Sequence, residues 1–573
     1  MRTALNTLPA ALLAAVSVLA PRVASAASPP ATPHVTVGAD VKQLIFDWDA
    51  ATGATYYRLM VRIGSGAYKP LIDNIPASTT QVKLSIAAHL LPWTLTRYAI
   101  AACNASGCTN SVAISPQNLM LESIGYFKAS NTDANDQFGV AVALSDDGRT
   151  LAVAALAESS NATGVNGNQA DNSSVYSGAV YVFRRVASGW RQEAYLKAGV
   201  NQPLEFFGSS DPRNKSLAIN ANGTLLAVGA RGLDTPGIGD AGVVYIYQKS
   251  STGLWSLAAT LNPPAPQQLE GFGVSIDMSL DGRTLKVDSA APFDDFGPEF
   301  GGTRYSTHIF VRVGTTWQHT VTFVPDDDEF CTRVRLSGDG NTLLSDCYAP
   351  FTAVLRLLTR KRIGDTWTLV SDQQLESSPF GNLAVDFDAS TMAREDAIGR
   401  TVSVYQWDGA SWLRETNFPL PPDAAPSRTF GPLALNRAGN LLAVAEHNAL
   451  ENGAGVAPTS MPGSESRGAV YIWRRDDRTA TWGLRSVVKS PNPGVGDGFG
   501  AWIALCGTGN ALAVGADGEA SNARGVDGDR GHALHRRAAA RAGLSSCGAA
   551  DNISRSRGAV RASVSTRSRY AST

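Results

Sequence analysis

Charge is scarce in this sequence. Charged residues make up 17% of its 573 positions and cancel to a net −1, so nothing in the charge balance suggests a surface for nucleic acid or an anionic membrane. Histidine is scarcer still. Its seven copies, His34, His89, His308, His319, His447, His532 and His535, form no HExxH or other closely spaced zinc pair. No G-x-S-x-G elbow or phosphate-binding GK[ST] loop occurs, so neither of those nucleophile or phosphate motifs is present. Past the first 26 residues no apolar run reaches the roughly 18 residues of a transmembrane helix. Apolar residues (44%) and 55 glycines are abundant instead, the composition of many short strands joined by tight turns.

The opening residues read as an export signal. Arg2 precedes an apolar run from Leu8 to Ala20, too short to span a bilayer, and Ala24-Ser25-Ala26 forms an A-x-A cleavage site. A signal peptide over 1–26, with no lipobox-style cysteine after it, predicts a soluble protein that is secreted, periplasmic or at the cell surface.

Export permits disulfides among the six cysteines. Cys103 and Cys108 flank the turn Asn104-Ala105-Ser106-Gly107. Cys331 and Cys347 lie on either side of Ser337-Gly338-Asp339-Gly340-Asn341. If Leu336 pairs with Thr342, counting outward sets Cys331 opposite Cys347, at a separation that suits a disulfide. Two free thiols are the alternative. Cys506 and Cys547 have no evident partner.

From about Ile124 the sequence repeats itself. The clearest unit runs through Asp136-Gln137-Phe138-Gly139 and a strand to Ser145, turns at Asp146-Asp147-Gly148, and returns as Thr150 to Ala155. After a polar loop come Gly178-Ala179-Val180-Tyr181-Val182-Phe183, a turn carrying Trp190, and Ala194-Tyr195-Leu196-Lys197-Ala198. Alternating apolar positions between Gly/Asp turns predict four antiparallel strands per unit. The Phe-Gly step recurs at Phe207, Phe272, Phe380, Phe430 and Phe499, and as Phe330-Cys331. Trp190, Trp255, Trp317, Trp367, Trp412 and Trp482 mark the turn before the fourth strand in phase with it. Such sheets bury both faces only by packing radially, so the expectation is an all-β fold: a seven-bladed β-propeller with an incomplete last blade, preceded by a small β-sandwich. The Phe ring is expected between blades, with Gly allowing close backbone approach.

These motifs resemble the FG-GAP repeats of integrin α-chains and their bacterial relatives over residues 124–529. Leu151-Ala152-Val153, Leu225 to Ala230 and Leu512 to Ala516 stand where that family has its second strand and GA(P) step. Units three to five depart from it at Lys286-Val287-Asp288, Leu344-Ser345-Asp346 and Met392-Ala393-Arg394, which predicts less regular blades. Residues 31–116 resemble a fibronectin type III-like module, with Ile45-Phe46-Asp47-Trp48 as the strand of its buried Trp, Tyr56 to Val61 as the next, and Tyr98 to Asn104 as the penultimate one.

Ile124 to Ser130 resembles the fourth-strand segments Tyr195 to Ala198 and Val487 to Ser490, so it is expected as the outer strand of blade seven. The inner strands of that blade would come from the C-terminal end. The blade pattern stops near Arg530, and 530–573 is rich in Arg, Ala and Ser; Gly558-Ala559-Val560 only echoes a third strand, with Arg561 where Tyr belongs. Three readings are open for 530–573: a basic tail, a disordered tail, or a peptide translated out of frame.

The FG-GAP resemblance implies calcium in the loop after the second strand, bound by converging oxygens. No full D-x-D-x-D-G run exists; the candidate ligands are Asp234, Asp240, Asp517, Asp527 and Asp529, with Asp294, Asp295 and Glu299 as a further partial set. Loop one offers mostly amides, Asn161, Asn166 and Asn168, beside Asp171, and solvated turns are the alternative everywhere. Asp326-Asp327-Asp328-Glu329 reads as a solvated inter-blade turn, and Trp407 and Trp473 as core. The long loops 155–176 and 446–467 are expected to build the ligand face. The expectation is a secreted, non-enzymatic, adhesion-like scaffold that recognises a protein or glycan; an extracellular hydrolase or lyase on a propeller is the alternative. Carboxylates clustered with His or Tyr at the axial mouth would mark the enzyme.

Overall fold

The computed structural model describes residues 28–526 apart from 188, 212–213, 294–301, 327–328, 350–353, 376–380, 397–400, 420–430 and 522. The signal segment, the tail from 530, Asp294, Asp295, Glu299, Phe380, Phe430, Asp527 and Asp529 therefore lie outside the described residues. No helix among the described residues is long and apolar enough to cross a membrane.

The front module is a two-sheet sandwich. Val35–Asp40, Gln43–Trp48 and Gln81–Ser85 form one sheet; Lys69–Pro76, Tyr56–Ile63, Thr96–Asn104 and Gly107–Asn110 form the other. Alternation along Gln43–Trp48 turns Leu44, Phe46 and Trp48 inward, where the Trp48 ring meets Tyr57 edge-on at 5.3 Å.

A β-propeller follows. Five four-stranded sheets, one of five strands and one of two succeed each other among the described residues; we number them blades 1 to 7. Their first strands are Phe138–Leu144, Leu217–Ile219, Ser275–Met278, Phe330–Leu336, Leu383–Val385, Leu433–Leu435 and Ile503–Leu505. Each first strand neighbours the next, and that of blade 7 neighbours that of blade 1, so the inner strands close a ring. The turns after them are tied rim to rim by backbone bonds: Asp147 N–H donates to Ala221 O, Ala221 N–H to Leu280 O, and Leu280 N–H to Gly338 O. Asp339 N–H donates to Phe387 O, Arg437 N–H to Gly507 O, and Gly507 N–H to Asp146 O.

The Phe-Gly step sits at the joints. Phe207 and Phe272 are fully buried, and Phe272 packs between Val244 and Ile246 of blade 2 and Val287 and Phe310 of blade 3. The Phe207 carbonyl lies where a Cβ on Gly178 would be, and Phe272 stands in the same relation to Gly242. Those glycines open the third strand, and no other residue leaves room for the next blade's backbone. The Trp landmark also crosses a joint: Trp255 Nε1 donates to Glu193 of the preceding blade (3.1 Å) and Trp482 Nε1 to Glu415 (3.1 Å).

Among the described residues blades 3 to 5 each keep four paired strands despite their departures from the repeat. The polar substitutions in their second strands pair with one another: Lys286 holds Asp288 (2.6 Å), and Arg394 of blade 5 holds Asp346 of blade 4 (3.1 Å), with both of its partners buried. A buried charge is tolerated when paired and hydrogen-bonded, so ionic joints replace apolar ones here.

Both expected disulfides are present, Cys103–Cys108 and Cys331–Cys347. The register behind the second differs from simple counting. Leu336 pairs with Leu343, not Thr342, and a bulge at Thr332 restores Cys331 opposite Cys347. Glu329 is buried rather than solvated and is paired with Arg356. Trp473 stacks on Phe418 at 4.2 Å and Trp407 lies 5.4 Å from Trp412, both packed against core residues.

The two long loops lie along the blade rims. Val165 bridges to Leu196 on the outer strand of blade 1, and Gly455–Ala457 adds a fifth strand to the outer edge of blade 6. Each covers an otherwise exposed edge.

Candidate functional site

The axial channel is lined by the seven first strands. Two residues before the turn, the register places Ala143, Ala218, Asp277, Arg335, Ala384, Ala434 and Ala504, each opposite the equivalent residue of its second strand. Five alanines leave space at that level, and the cavity measures about 230 Å³. Asp277 and Arg335, on adjacent blades, put charge into it. Lys215, Ser275 and Asn382 extend the polar arc, while Leu433, Leu435 and Trp502 face it from the apolar side.

Behind the wall Lys286 is fully buried. Its Nζ donates to Asp288 Oδ2 (2.6 Å) and Ser275 Oγ (2.8 Å) and lies 3.6 Å from Asp277 Oδ2. Asp277 also accepts the Leu336 N–H (3.3 Å). Burial by itself would raise the Asp277 carboxyl, but Lys286, Arg335 and Lys215 together hold it below its ordinary pKa. Burial pushes Lys215 down to about 8, opposed by Asp277 and aided by Arg335 and Lys286. Three cations face two carboxylates here, an excess of one positive charge in a narrow space that strengthens electrostatics.

A Ser–His–Glu grouping exists elsewhere, in blade 3. His308 Nε2 lies 2.9 Å from Ser289 Oγ and 3.8 Å from Glu270 Oε1, while Nδ1 lies 3.0 Å from Thr322 Oγ1. A nucleophile triad needs the acid on the ring nitrogen opposite the serine. Here Ser289 and Glu270 share one nitrogen, all three residues are buried, and the Phe272 ring packs edge-on at 5.3 Å. The grouping does not have the triad's geometry and packs within the blade joint.

Among the described residues the calcium candidates Asp234, Asp240 and Asp517 form no trio of close ligand atoms. Asp234 Oδ1 accepts the Asp240 N–H (2.8 Å), closing its own loop, and Asp517 lies near His447. Asp171 likewise accepts the N–H groups of Asn161 (3.1 Å) and Ser173 (3.0 Å). Among the described residues the one trio of potential ligand atoms within 4.8 Å of each other is Glu329, Cys331 and Cys347, and its two sulfurs are joined as a disulfide.

The channel charges escaped sequence reading because they come from separate repeats. Aligning the seven turns exposes them: the position two before the turn is Ala in five blades and charged in two.

No protein-family model matches the chain, and no curated protein matches it. Solved structures do. The β-propeller domain of Cps50 (Swd1) from Myceliophteria thermophila is 12% identical, with TM-score 0.39, covering 64% of this chain and 90% of that one. The Pseudomonas aeruginosa periplasmic gluconolactonase PpgL is 13% identical, with TM-score 0.33, covering 59% of this chain and 95% of that one. Kuenenia stuttgartiensis hydrazine synthase is 13% identical, with TM-score 0.40, covering 68% and 97%.

Proposed function

We propose that this protein is an exported, non-enzymatic binding scaffold, a seven-bladed propeller of the FG-GAP type behind a fibronectin type III-like module. Its axial channel receives an anionic group, a carboxylate, carried by a glycan or protein ligand. The observation that carries this reading is the Asp277–Arg335 step with Lys215 beside it, in a channel where Ser275 and Asn382 add polar groups and alanine, leucine and Trp502 line much of the rest. Pockets of this kind fix orientation through a few polar groups on an apolar wall. The strand order of the front sandwich supports the fibronectin-like reading, and the Phe-Gly joints support the FG-GAP one.

Calorimetry with paired neutral and uronic-acid oligosaccharides, and with acidic and amidated peptides, tests the binding mode. Carboxylated members are expected to bind, and Lys215→Met to weaken them about tenfold, the loss of one charged hydrogen bond. Equal binding of neutral and carboxylated ligands, or no effect of Lys215→Met, would sink the proposal. Turnover of any carboxylated ligand would move the assignment to the hydrolase or lyase alternative.

A further inference from the structure

Three blades that follow one another around the ring each hold a lysine against a glutamate. Lys197 pairs with Glu158 in blade 1 (2.8 Å), Lys489 with Glu451 in blade 6 (4.0 Å) and Lys128 with Glu519 in blade 7 (2.6 Å). Among the described residues only the blade 1 pair also holds a side-chain amide. Glu451 accepts from Ser460, Met461 and Tyr471, and Glu519 from Lys128 and Ser521. Glu158 accepts the Lys197 ammonium on Oε2 (2.8 Å) and the Asn131 amide Nδ2 on Oε1 (3.1 Å). Amine and amide therefore meet on one carboxylate, two hydrogen bonds apart.

Every group around them is fixed. Asn131 Nδ2 donates also to Gln169 O (3.1 Å), and its Oδ1 accepts the Tyr181 hydroxyl (2.5 Å). A carboxylate and a carbonyl oxygen can only accept, so these partners leave the amide one orientation. Lys197 Nζ donates to Ser177 Oγ (2.7 Å), and Glu158 Oε1 accepts the Tyr195 hydroxyl (2.8 Å). Lys197, Glu158, Tyr181 and Tyr195 are all fully buried or nearly so. Burial lowers the Lys197 amine below its ordinary pKa, with Glu158 opposing the shift. Removal from water favours the neutral pair of amine and carboxylic acid over the ionic one.

We infer that the folded protein joins Lys197 to Asn131 by an amide bond between their side chains. Glu158 takes one proton from the ammonium, and the freed amine attacks Asn131 Cγ. As the new C–N bond forms, negative charge gathers on Oδ1, where the Tyr181 hydroxyl already donates. Glu158 passes its proton to Nδ2, the Cγ–Nδ2 bond breaks and ammonia leaves. The attacking nitrogen returns a second proton to Glu158, which stays protonated beside an uncharged amide. No oxidant, metal or co-reactant enters the step. Fixed neighbours replace the encounter that makes amide exchange slow in solution.

The bond has a structural use that an ion pair cannot match. Asn131 lies just past the strand that leaves blade 7, where Phe127 bridges to Val526 and Lys128 N–H donates to Gly525 O (2.8 Å). Lys197 ends the outer strand of blade 1. Joining the two ties the ring's closing segment covalently to its first blade.

The test is mass spectrometry of the full chain, denatured and digested. The wild type is expected to give one branched peptide joining the Asn131 and Lys197 segments, lighter than the separate pair by one ammonia. Asn131→Ala should give separate peptides, and so should Glu158→Gln. Tyr181→Phe keeps the ring and the ion pair but not the donor to Oδ1. In samples taken at intervals after synthesis, its branched peptide should accumulate roughly a hundredfold more slowly. Should melting show that Glu158→Gln does not fold, Asn131→Ala and Tyr181→Phe still decide. Separate peptides from the wild type, meaning a buried ion pair only, overturn the inference. A branch at another residue, or Tyr181→Phe joining at the wild-type rate, overturns it too.

Discussion

Buried charge in this protein is arranged in pairs, and single residues should reveal how much each pair holds. Lys197 and Glu158 are both fully buried, and the Glu158 carboxylate also accepts the Tyr195 hydroxyl (2.8 Å). Glu158→Gln leaves a buried cation without its countercharge, which costs about 3 kcal/mol or more. Calorimetric melting should show it, and Glu158→Gln combined with Lys197→Met should recover part of the loss. Glu205 is the contrary case. Burial pushes its carboxyl up to about 8, and Oε1 has no hydrogen-bond partner. The folded protein keeps a proton there that the unfolded chain releases near its ordinary 4.5, so the stability from Glu205 is complete below 4.5 and falls as pH rises toward 8. Glu205→Gln, which stays neutral, should melt higher than the wild type at pH 8.5 and about equally at pH 5.

At the scale of elements, the sandwich meets the propeller through a histidine. His89 Nε2 lies 2.8 Å from Gly509 O, and the Ser486 hydroxyl donates to the His89 carbonyl. Burial lowers His89 to about 4, with Lys42 nearby adding to the shift. The unfolded ring protonates near 6.5, so this stability is present above 6.5 and is lost as pH falls toward 4. Melting curves between pH 7 and 4 should lose stability over that window, and less steeply in His89→Asn. The hairpin disulfide is a second test. Replacing Cys331 and Cys347 by Ala reopens a sequence separation of 16 and should cost about 3 kcal/mol; for Cys103 and Cys108, separated by 5, the loop model gives about 2 kcal/mol. Elements were legible in the sequence where period and landmark coincide, as at Phe207-Gly208 and Trp255. The rim positions of 155–176 and 446–467 were not. A single Gly-Val step, Gly164-Val165 or Gly455-Val456, directs each loop back along its blade, too short a signal to read against long polar surroundings.

At the scale of the whole molecule, the ring was legible because seven repeats each demand a neighbour, and the channel was not. Its chemistry depends on residues some 60 positions apart, Lys215, Asp277 and Arg335, which only the radial arrangement brings together. The departures at Lys286, Asp346 and Arg394 carried the opposite message in one dimension, reading as decay of the pattern where they are joints between blades.

The clasp between Lys128 and Glu519 spans 391 residues. At a ribosomal pace of 5–20 residues per second, the second half of that clasp is made roughly 20 to 80 seconds after the first. Once Trp190 has been made, blade 1 shows an aromatic flank, Phe138 and Trp190, to whatever surrounds the nascent chain for the rest of that interval. The ring is therefore a fold that cannot be secured one blade at a time, and a cell producing it must shelter its beginning until its end arrives.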